Sequence, residues 1–314
     1  MPTDADCETA PPTKPSKLRA WLELLRVPNL FTVPGDPIVG FLLASTASSK
    51  FLSLTAVIPA VVAALCLYCA GLVSNDLFDL AEDRRDRPER PLPSGRISIP
   101  AARLATVLLF IAGIVAAFLA GERTGLLACA LAALILVYNG GFKRVRLVGP
   151  LTMGLCRGFS LLLGASVFAS GPTTPVVLAA AGGLTLYILS VTLIAAKETS
   201  GKPAGRIAWL SCLVCMVWFA CLATMAPIQE TGTPVLTMVL PIVATIWVGR
   251  WCMVLAKETQ PVVVSMGVGR LIQGLLLIQA SLCSIVMWPG LWVAAACVAA
   301  LPAAVILGRR FYAS

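Results

Sequence analysis

Ten long apolar segments constrain the fold of this chain more than any other feature of its sequence. An α-helix crosses the hydrocarbon core of a bilayer with about 20 consecutive apolar residues. The ten segments have roughly this length, and they lie at 28–45, 52–74, 100–120, 125–139, 150–169, 173–196, 207–226, 234–255, 269–287 and 291–308. Only 12% of the residues are charged, whereas about a quarter are charged in a soluble domain. The sequence therefore predicts an all-α, polytopic transmembrane helical bundle.

The number of spans depends on how the last two segments are interpreted. Only Pro289 and Gly290 separate them, so nine spans with a re-entrant or interfacial piece is an alternative to ten. Arg309 and Arg310 follow the last segment. These residues favour ten spans, because an even number returns the chain to the side that is rich in basic residues.

The basic residues lie almost entirely on one side of the predicted bundle. We assign the gaps between segments alternately to two sides, starting with the N-terminus. All but two of the 24 Lys and Arg then lie on the N-terminal side, and the two exceptions are Lys50 and Arg123. Cytosolic loops are rich in Lys and Arg, so we expect this side and both termini to be cytosolic. The net charge of +9 then follows from topology and from what the loops bind, and no nucleic-acid partner is expected.

The polar, proline-containing residues 1–16 are predicted to be a disordered cytosolic tail. Residues 17–314 are predicted to form a single transmembrane domain.

Acidic side chains are concentrated where the second segment ends. Asn75, Asp76, Asp79 and Asp83 form the pattern N-D-x-x-D-x-x-x-D, and in a continuous helix they share one face. Clustered carboxylates repel each other unless a cation lies between them. Mg²⁺ binds such oxygens, usually through one or two carboxylates plus substrate phosphates. The alternative is an ordinary solvated loop in which acids and arginines pair with each other.

Arginines follow these acids and can bind phosphate oxygens bidentately. They are Arg84, Arg85, Arg87, Arg90 and Arg96. Three prolines and Gly95 between them end the helix and predict an ordered turn into the third segment. The whole stretch predicts that the acids hold a metal ion, the metal ion holds a diphosphate, and the arginines contact the rest of the diphosphate.

This stretch resembles the first Asp-rich motif of the UbiA superfamily of intramembrane prenyltransferases, in which R-P-L-P-S-G-x-I-S follows the acids. Residues 90–98 read R-P-L-P-S-G-R-I-S. The resemblance implies that Asn75, Asp79 and Asp83 bind Mg²⁺ and a prenyl diphosphate, and that Asp76 assists them. It also implies transfer of the prenyl group to an acceptor, whose identity stays open, with the isoprenoid tail lying partly in membrane lipid.

Three other regions bear on the resemblance. Residues 25–30 are similar to the first helix of the family, and the pattern Asn29…Asp36 resembles the branch called EboC-like. Residues 138–144 resemble the Tyr-containing loop after the fourth helix. There Lys143 would contact the diphosphate, whereas Tyr138 either takes part in catalysis or is an interfacial aromatic anchor.

The second Asp-rich motif of the family is not reproduced. At the end of the sixth segment only Glu198 is acidic, and Lys197 and Lys202 flank it. A second metal ion held by this segment alone is therefore doubtful, and the lysines could neutralise diphosphate charge directly. Tyr187 in the same segment is predicted to face the substrate, with helix packing as the alternative.

Polar residues at membrane depth are costly and usually face a cavity or a partner. Asp36 lies near the middle of the first segment beside two prolines, and it either lines a pocket or bonds to backbone groups that the prolines free. Arg157 in the fifth segment could meet Asp36 or the diphosphate. Asn29 is a similar pocket candidate.

These residues predict a Mg²⁺-dependent prenyltransferase that ionises an allylic diphosphate and passes the cation to an acceptor. Two alternatives stay open. The cation could be captured by its own double bonds, as in a terpene cyclase. The chain could instead be a non-catalytic lipid-binding or transport protein.

Overall fold

The computed structural model describes residues 16–48, 52–197, 203–225, 234–286 and 288–311. Within these ranges the chain forms α-helices joined by turns and short 3₁₀ helices, without a β-strand. The α-helices are α1 Lys17–Leu24, α2 Val27–Leu30, α3 Gly35–Ser45, α4 Ile58–Phe78, α5 Leu80–Asp86, α6 Ile99–Ala120, α7 Glu122–Gly140, α8 Val148–Ala165, α9 Pro175–Ala195, α10 Ala208–Met225, α11 Pro234–Leu255, α12 Pro261–Gln273, α13 Leu275–Cys283 and α14 Gly290–Phe311.

Ten helical stretches in the described part of the chain are long and apolar enough to cross a membrane. The prediction of an all-α bundle with nine or ten spans is therefore confirmed, the described helices provide ten candidate spans, and nine of the predicted segments agree with them to within a few residues. The predicted bounds of the ninth segment were wrong, because that span covers Pro261–Cys283 rather than 269–287. Pro261 lies in the first turn of the helix, where its fixed φ and missing N–H are tolerated, so the span begins there.

The first span is broken into α2 and α3 by a turn at residues 31–34. Pro34 and Pro37 lack the N–H groups that an unbroken helix would use, so carbonyl groups in the turn need other partners. α3 packs closely on α8, where the carbonyl of Pro37 leaves no room for a Cβ at Gly164. The ninth span is similarly divided at Gly274, and its second half, α13, also contacts α3. Two broken spans therefore meet in the centre of the bundle.

The end of the second span carries the acidic motif. α4 ends at Phe78, Asp79 has φ −88° and ψ 0°, and α5 follows directly. The N–H of Asp79 still bonds to the carbonyl of Asn75, and the N–H of Asp83 bonds to the carbonyl of Asp79. The helical path therefore continues through the break, as predicted.

Candidate active site

Two adjoining cavities lie between the helices that carry the predicted site. The larger, of about 450 Å³, is bordered by α1, α2, α4, α8, α9, α12 and the loop after α5. Its charged lining residues are Glu23, Arg26, Asp76, Arg87, Glu89, Arg90, Arg96 and Arg157. The smaller, of about 150 Å³, extends along α4 away from this loop and has apolar walls that include Leu67, Leu131 and Ile135. Arg26, Tyr68, Tyr138 and Arg157 line both cavities and mark their junction.

Asp79 and Asn75 share one cation. The Nζ of Lys143 lies 2.5 Å from Asp79 Oδ1 and 3.1 Å from Asn75 Oδ1. Lys143 belongs to a 3₁₀ turn, Phe142–Arg144, directly after α7. The predicted loop after the fourth helix therefore does reach the acidic motif, and its lysine contacts Asp79 and Asn75.

Asp83 and Asp76 face arginines instead. Both Asp83 oxygens accept hydrogen bonds from Arg90 Nη1, at 2.9 and 2.8 Å, and this pair is mostly buried. Asp76 Oδ1 lies 3.7 Å from Arg26 Nη2. Asp76 and Asp83 are close enough to interact electrostatically with each other and with Arg90. The four side chains of the motif therefore do not share the one predicted face but form two adjacent rows. Asn75 and Asp79 point toward Lys143, and Asp76 and Asp83 point toward the arginines.

The oxygens of the motif are hard ligands of the kind that Mg²⁺ prefers. Among the residues that the structure describes, no three Asp, Glu, Cys or His side chains form a group that could hold a metal ion by themselves. Mg²⁺ commonly binds through one or two carboxylates while substrate phosphates and water complete its shell. Asp79 and Asn75 offer two such oxygens on one side of the motif, whereas both oxygens of Asp83 are held by Arg90, so a metal ion here would need the substrate to supply most of its ligands.

Asp36 lies in a buried polar cluster rather than on a cavity wall. Its Oδ1 accepts hydrogen bonds from Gln279 at 2.7 Å and from Arg157 Nη2 at 3.2 Å, and its Oδ2 lies 2.9 Å from Arg157 Nε. Both donors also bond to the carbonyl of Thr32 in the break of the first span, at 2.7 and 3.0 Å. The cluster joins α3, α8 and α13. Arg157 and Gln279, rather than Asp36 itself, satisfy the carbonyl in the break, and Asp36 holds these two side chains in place.

The remaining predicted residues divide between the cavity and other places. Asn29, a candidate pocket residue, lines the larger cavity, and Tyr138 lines both cavities, while its part in catalysis stays a prediction. Arg84 is exposed on α5 and lines neither cavity. Tyr187 is fully buried, and its hydroxyl donates to the carbonyl of Leu271 at 2.8 Å, so its position supports helix packing rather than substrate contact.

The end of the sixth span is only partly described. Lys197 lies two residues beyond Ala195, which lines the larger cavity, and Lys197 itself is not among the lining residues. Glu198 and Lys202 lie outside the described residues. Their roles in binding substrate stay predictions.

Three residues at the site were not singled out from the sequence. Arg26 lies at both cavities and at Asp76, with φ 47° in the left-handed region that is rare for residues other than glycine. Tyr68 lines both cavities, and Asn29 lines the larger one with it. Asn139 donates to the carbonyl of Gly71 at 3.1 Å and braces the end of α4. A tyrosine within an apolar span was a usable signal, because a buried phenol needs a partner.

Comparisons with known proteins point to one family. The model of the UbiA prenyltransferase family matches residues 37–266. The digeranylgeranylglyceryl phosphate synthase of Methanococcoides burtonii is 30% identical over 156 residues, which cover 48% of this chain and 56% of that protein. The enzyme of the same name from Methanocaldococcus jannaschii is 33% identical over 148 residues, which cover 47% and 51%. The chain thus spans about half the length of these curated relatives.

Solved structures share the fold. A UbiA homologue from Archaeoglobus fulgidus bound to DMAPP and Mg²⁺ has a TM-score of 0.57 and 15% identity, with 91% of this chain and 99% of that chain covered. A structure of digeranylgeranylglyceryl phosphate synthase has a TM-score of 0.59 and 21% identity, with 86% and 99% covered. The family match spans most of the chain, and the Asp-rich motif, the ten helices and these folds are consistent with it. The chain belongs to the UbiA prenyltransferase family.

Proposed function

We propose that this protein ionises an allylic prenyl diphosphate with the help of Mg²⁺ and transfers the prenyl group to an acceptor. The observation that carries this proposal is the pair of adjoining cavities. One is bordered by arginines and by Asp76 of the Asp-rich motif, and the other is lined mainly by apolar side chains and reaches Asn75. A prenyl diphosphate has the same division between a charged head and an apolar chain.

The names of relatives support the same class of chemistry. The curated relatives are called digeranylgeranylglyceryl phosphate synthases, and the Archaeoglobus fulgidus homologue was solved with DMAPP and with GPP, each together with Mg²⁺. The acceptor of this chain stays open, as does its assignment to the EboC-like branch. The surrounding membrane supplies a medium in which an isoprenoid tail can lie.

In the proposed reaction, the bond between the allylic carbon and the diphosphate oxygen breaks, and the oxygen keeps the electron pair. Bound Mg²⁺, held by Asn75, Asp79 and Asp83, would neutralise charge on the departing diphosphate. Arg90 on the cavity wall and Lys143 beside the motif add positive charge at the same end of the site. Fixed charges of this kind stabilise the transition state, because they need little reorganisation when negative charge develops.

The allylic cation needs protection from water until the acceptor attacks it. The smaller cavity is lined mainly by apolar side chains, and the rings of Tyr68 and Tyr138 line the junction where the cation would form. Aromatic faces attract cations. The chain contains no His, so the proton that the acceptor loses passes to another base, such as a carboxylate, a tyrosine, water or the departing diphosphate.

We also propose that the site faces the cytosol. The motif follows the second span on the side that carries nearly all Lys and Arg, and cytosolic loops are enriched in these residues. Labelling of single cysteines placed in the loop after α5, in sealed vesicles of known orientation, tests this orientation.

The function is tested by incubating the purified protein with C10, C15 and C20 prenyl diphosphates and Mg²⁺, with and without candidate acceptors. A transferase releases diphosphate only when an acceptor is present. Hydrocarbon products without an acceptor would indicate a cyclase. Binding without turnover under every condition would indicate a non-catalytic protein. The variants Asp79→Ala and Asp83→Ala should insert normally and lose turnover, so near wild-type rates in both would contradict the proposed metal ligands.

A further inference from the structure

The ammonium group of Lys143 occupies the position that a metal ion would need at the first two proposed ligands. It contacts Asp79 Oδ1 at 2.5 Å and Asn75 Oδ1 at 3.1 Å, and the side chains of Lys143 and Asp79 are only 13% and 19% exposed. The ammonium group fills the space between these two oxygens, and its positive charge repels a divalent ion placed there. Lys143 and a divalent ion therefore compete for the same oxygens.

The backbone of Lys143 is held firmly in place. Gly149 on α8 packs against it so closely that a Cβ there would lie 2.8 Å from the carbonyl oxygen of Lys143 and 3.0 Å from its Cα. The turn is also closed by a hydrogen bond from the N–H of Val145 to the carbonyl of Phe142. The lysine side chain is a flexible four-carbon stem. Any movement of the ammonium group therefore comes from the side chain, around a fixed attachment point beside the cavity.

We propose that Lys143 is a place-holding cation, which neutralises Asp79 while the site is empty and moves its ammonium group to phosphate oxygens when the metal ion and the diphosphate bind. This proposal rests on the proposed function, because it takes Asp79 and Asn75 as metal ligands. An uncompensated carboxylate in a mostly buried position is costly, and Lys143 removes that cost from the empty protein. The same contact opposes binding of a metal ion that arrives alone.

A consequence is that metal and diphosphate bind cooperatively. Diphosphate offers Lys143 new acceptors and so frees the oxygens of Asp79 and Asn75 for the metal. By linkage, each ligand then raises the affinity of the other by the same factor. Without the ammonium group, the metal no longer competes with a resident cation, and that part of the cooperativity disappears.

In the test, binding of Mn²⁺ to the purified full chain in detergent is measured by electron paramagnetic resonance. Titrations are run without phosphate and with an unreactive geranyl thiolodiphosphate, and protein-free samples provide the blank. The variants are Lys143→Met and Lys143→Gln, which keep most of the side-chain length without the charge. Arg144→Gln is the matched control, because Arg144 follows in the same turn but pairs at 3.5 Å with the exposed Glu82. Chromatography and thermal unfolding confirm that each variant is folded.

For the wild type we expect weak Mn²⁺ binding alone and much tighter binding with the analogue. Removing a charge-assisted contact from the ligands should tighten binding of Mn²⁺ alone by about tenfold in both Lys143 variants and reduce the effect of the analogue. The control should match the wild type. Unchanged or weaker binding of Mn²⁺ alone in both Lys143 variants would overturn the place-holding role. A wild type that binds no Mn²⁺ even with the analogue would instead contradict the proposed function.

Discussion

Replacing Asp36 with alanine would leave the guanidinium group of Arg157 in the centre of the bundle without its counter-charge. Arg157 is 7% exposed and Asp36 is 1% exposed, so little water is available to compensate for the lost contact. Breaking a buried ion pair by removing one partner typically costs about 3–5 kcal/mol. In the variant, Arg157 keeps its hydrogen bond to the carbonyl of Thr32. In the wild type, only Oδ1 of Asp36 accepts hydrogen bonds, so the substitution removes few of them. We therefore expect Asp36→Ala to lower the free energy of unfolding by about 3 kcal/mol, near the lower end of this range.

The assay is the unfolding free energy in mixed micelles of dodecyl sulfate and dodecyl maltoside, followed by circular dichroism. The double variant Asp36→Ala/Arg157→Met removes both charges, and it should be clearly more stable than the sum of the single losses predicts, because charges in contact are coupled. Glu82→Ala is the matched control, since its ion pair with Arg144 is mostly exposed and should cost less than about 1 kcal/mol. The reasoning is refuted if Asp36→Ala costs no more than the control, or if the single losses add without coupling.

Three further variants test the geometry around the motif. Gly149→Ala should destabilise the protein by about 1–3 kcal/mol and weaken diphosphate binding, because the added Cβ meets the backbone of Lys143. Gly140→Ala is the control: its Cβ meets nothing within 4 Å, so diphosphate affinity should not change. Arg26→Gly should be about 1 kcal/mol more stable than Arg26→Ala, since glycine adopts the left-handed backbone freely while both variants lose the guanidinium group; equal stability would count against strain at this residue. Asn139→Ala should lower stability by about 1–2 kcal/mol in the same micelle assay, through loss of its two hydrogen bonds to α4, and an unchanged value would show that these bonds do not brace the helix.

The spans and the acidic motif could be predicted from the sequence because their causes are local. A bilayer requires a fixed length of apolar helix, and the spacing of Asn75, Asp79 and Asp83 follows from one helical path. The ninth span was misplaced for a local reason as well. Its N-terminal part begins with a proline and contains Ser265 and two glycines, which weaken the apolar pattern.

The pairing of Arg157 with Asp36 was among the expectations, but most other partners could not be predicted, because they depend on which helix faces meet. In a membrane protein many helices are apolar all round, and α6, for example, is exposed along much of its length. No periodicity then marks the side toward the cavity. The contact of Lys143 with Asp79 and the packing of Tyr187 on α12 therefore appeared only with the structure. Arg26 was missed for the same reason, since its position at both cavities depends on a left-handed residue between two short helices.

The central claim is that oxygens at the end of the second span hold a metal ion together with a prenyl diphosphate. The most direct test is an anomalous difference map from crystals of the protein grown with Mn²⁺ and an unreactive prenyl thiolodiphosphate. We predict a Mn²⁺ peak at ligand distance, about 2.0–2.3 Å, from Asp79 and either Asn75 or Asp83, with the diphosphate bound to the same ion. A bound diphosphate with no metal peak at these residues, or a peak held by other side chains, would contradict the claim.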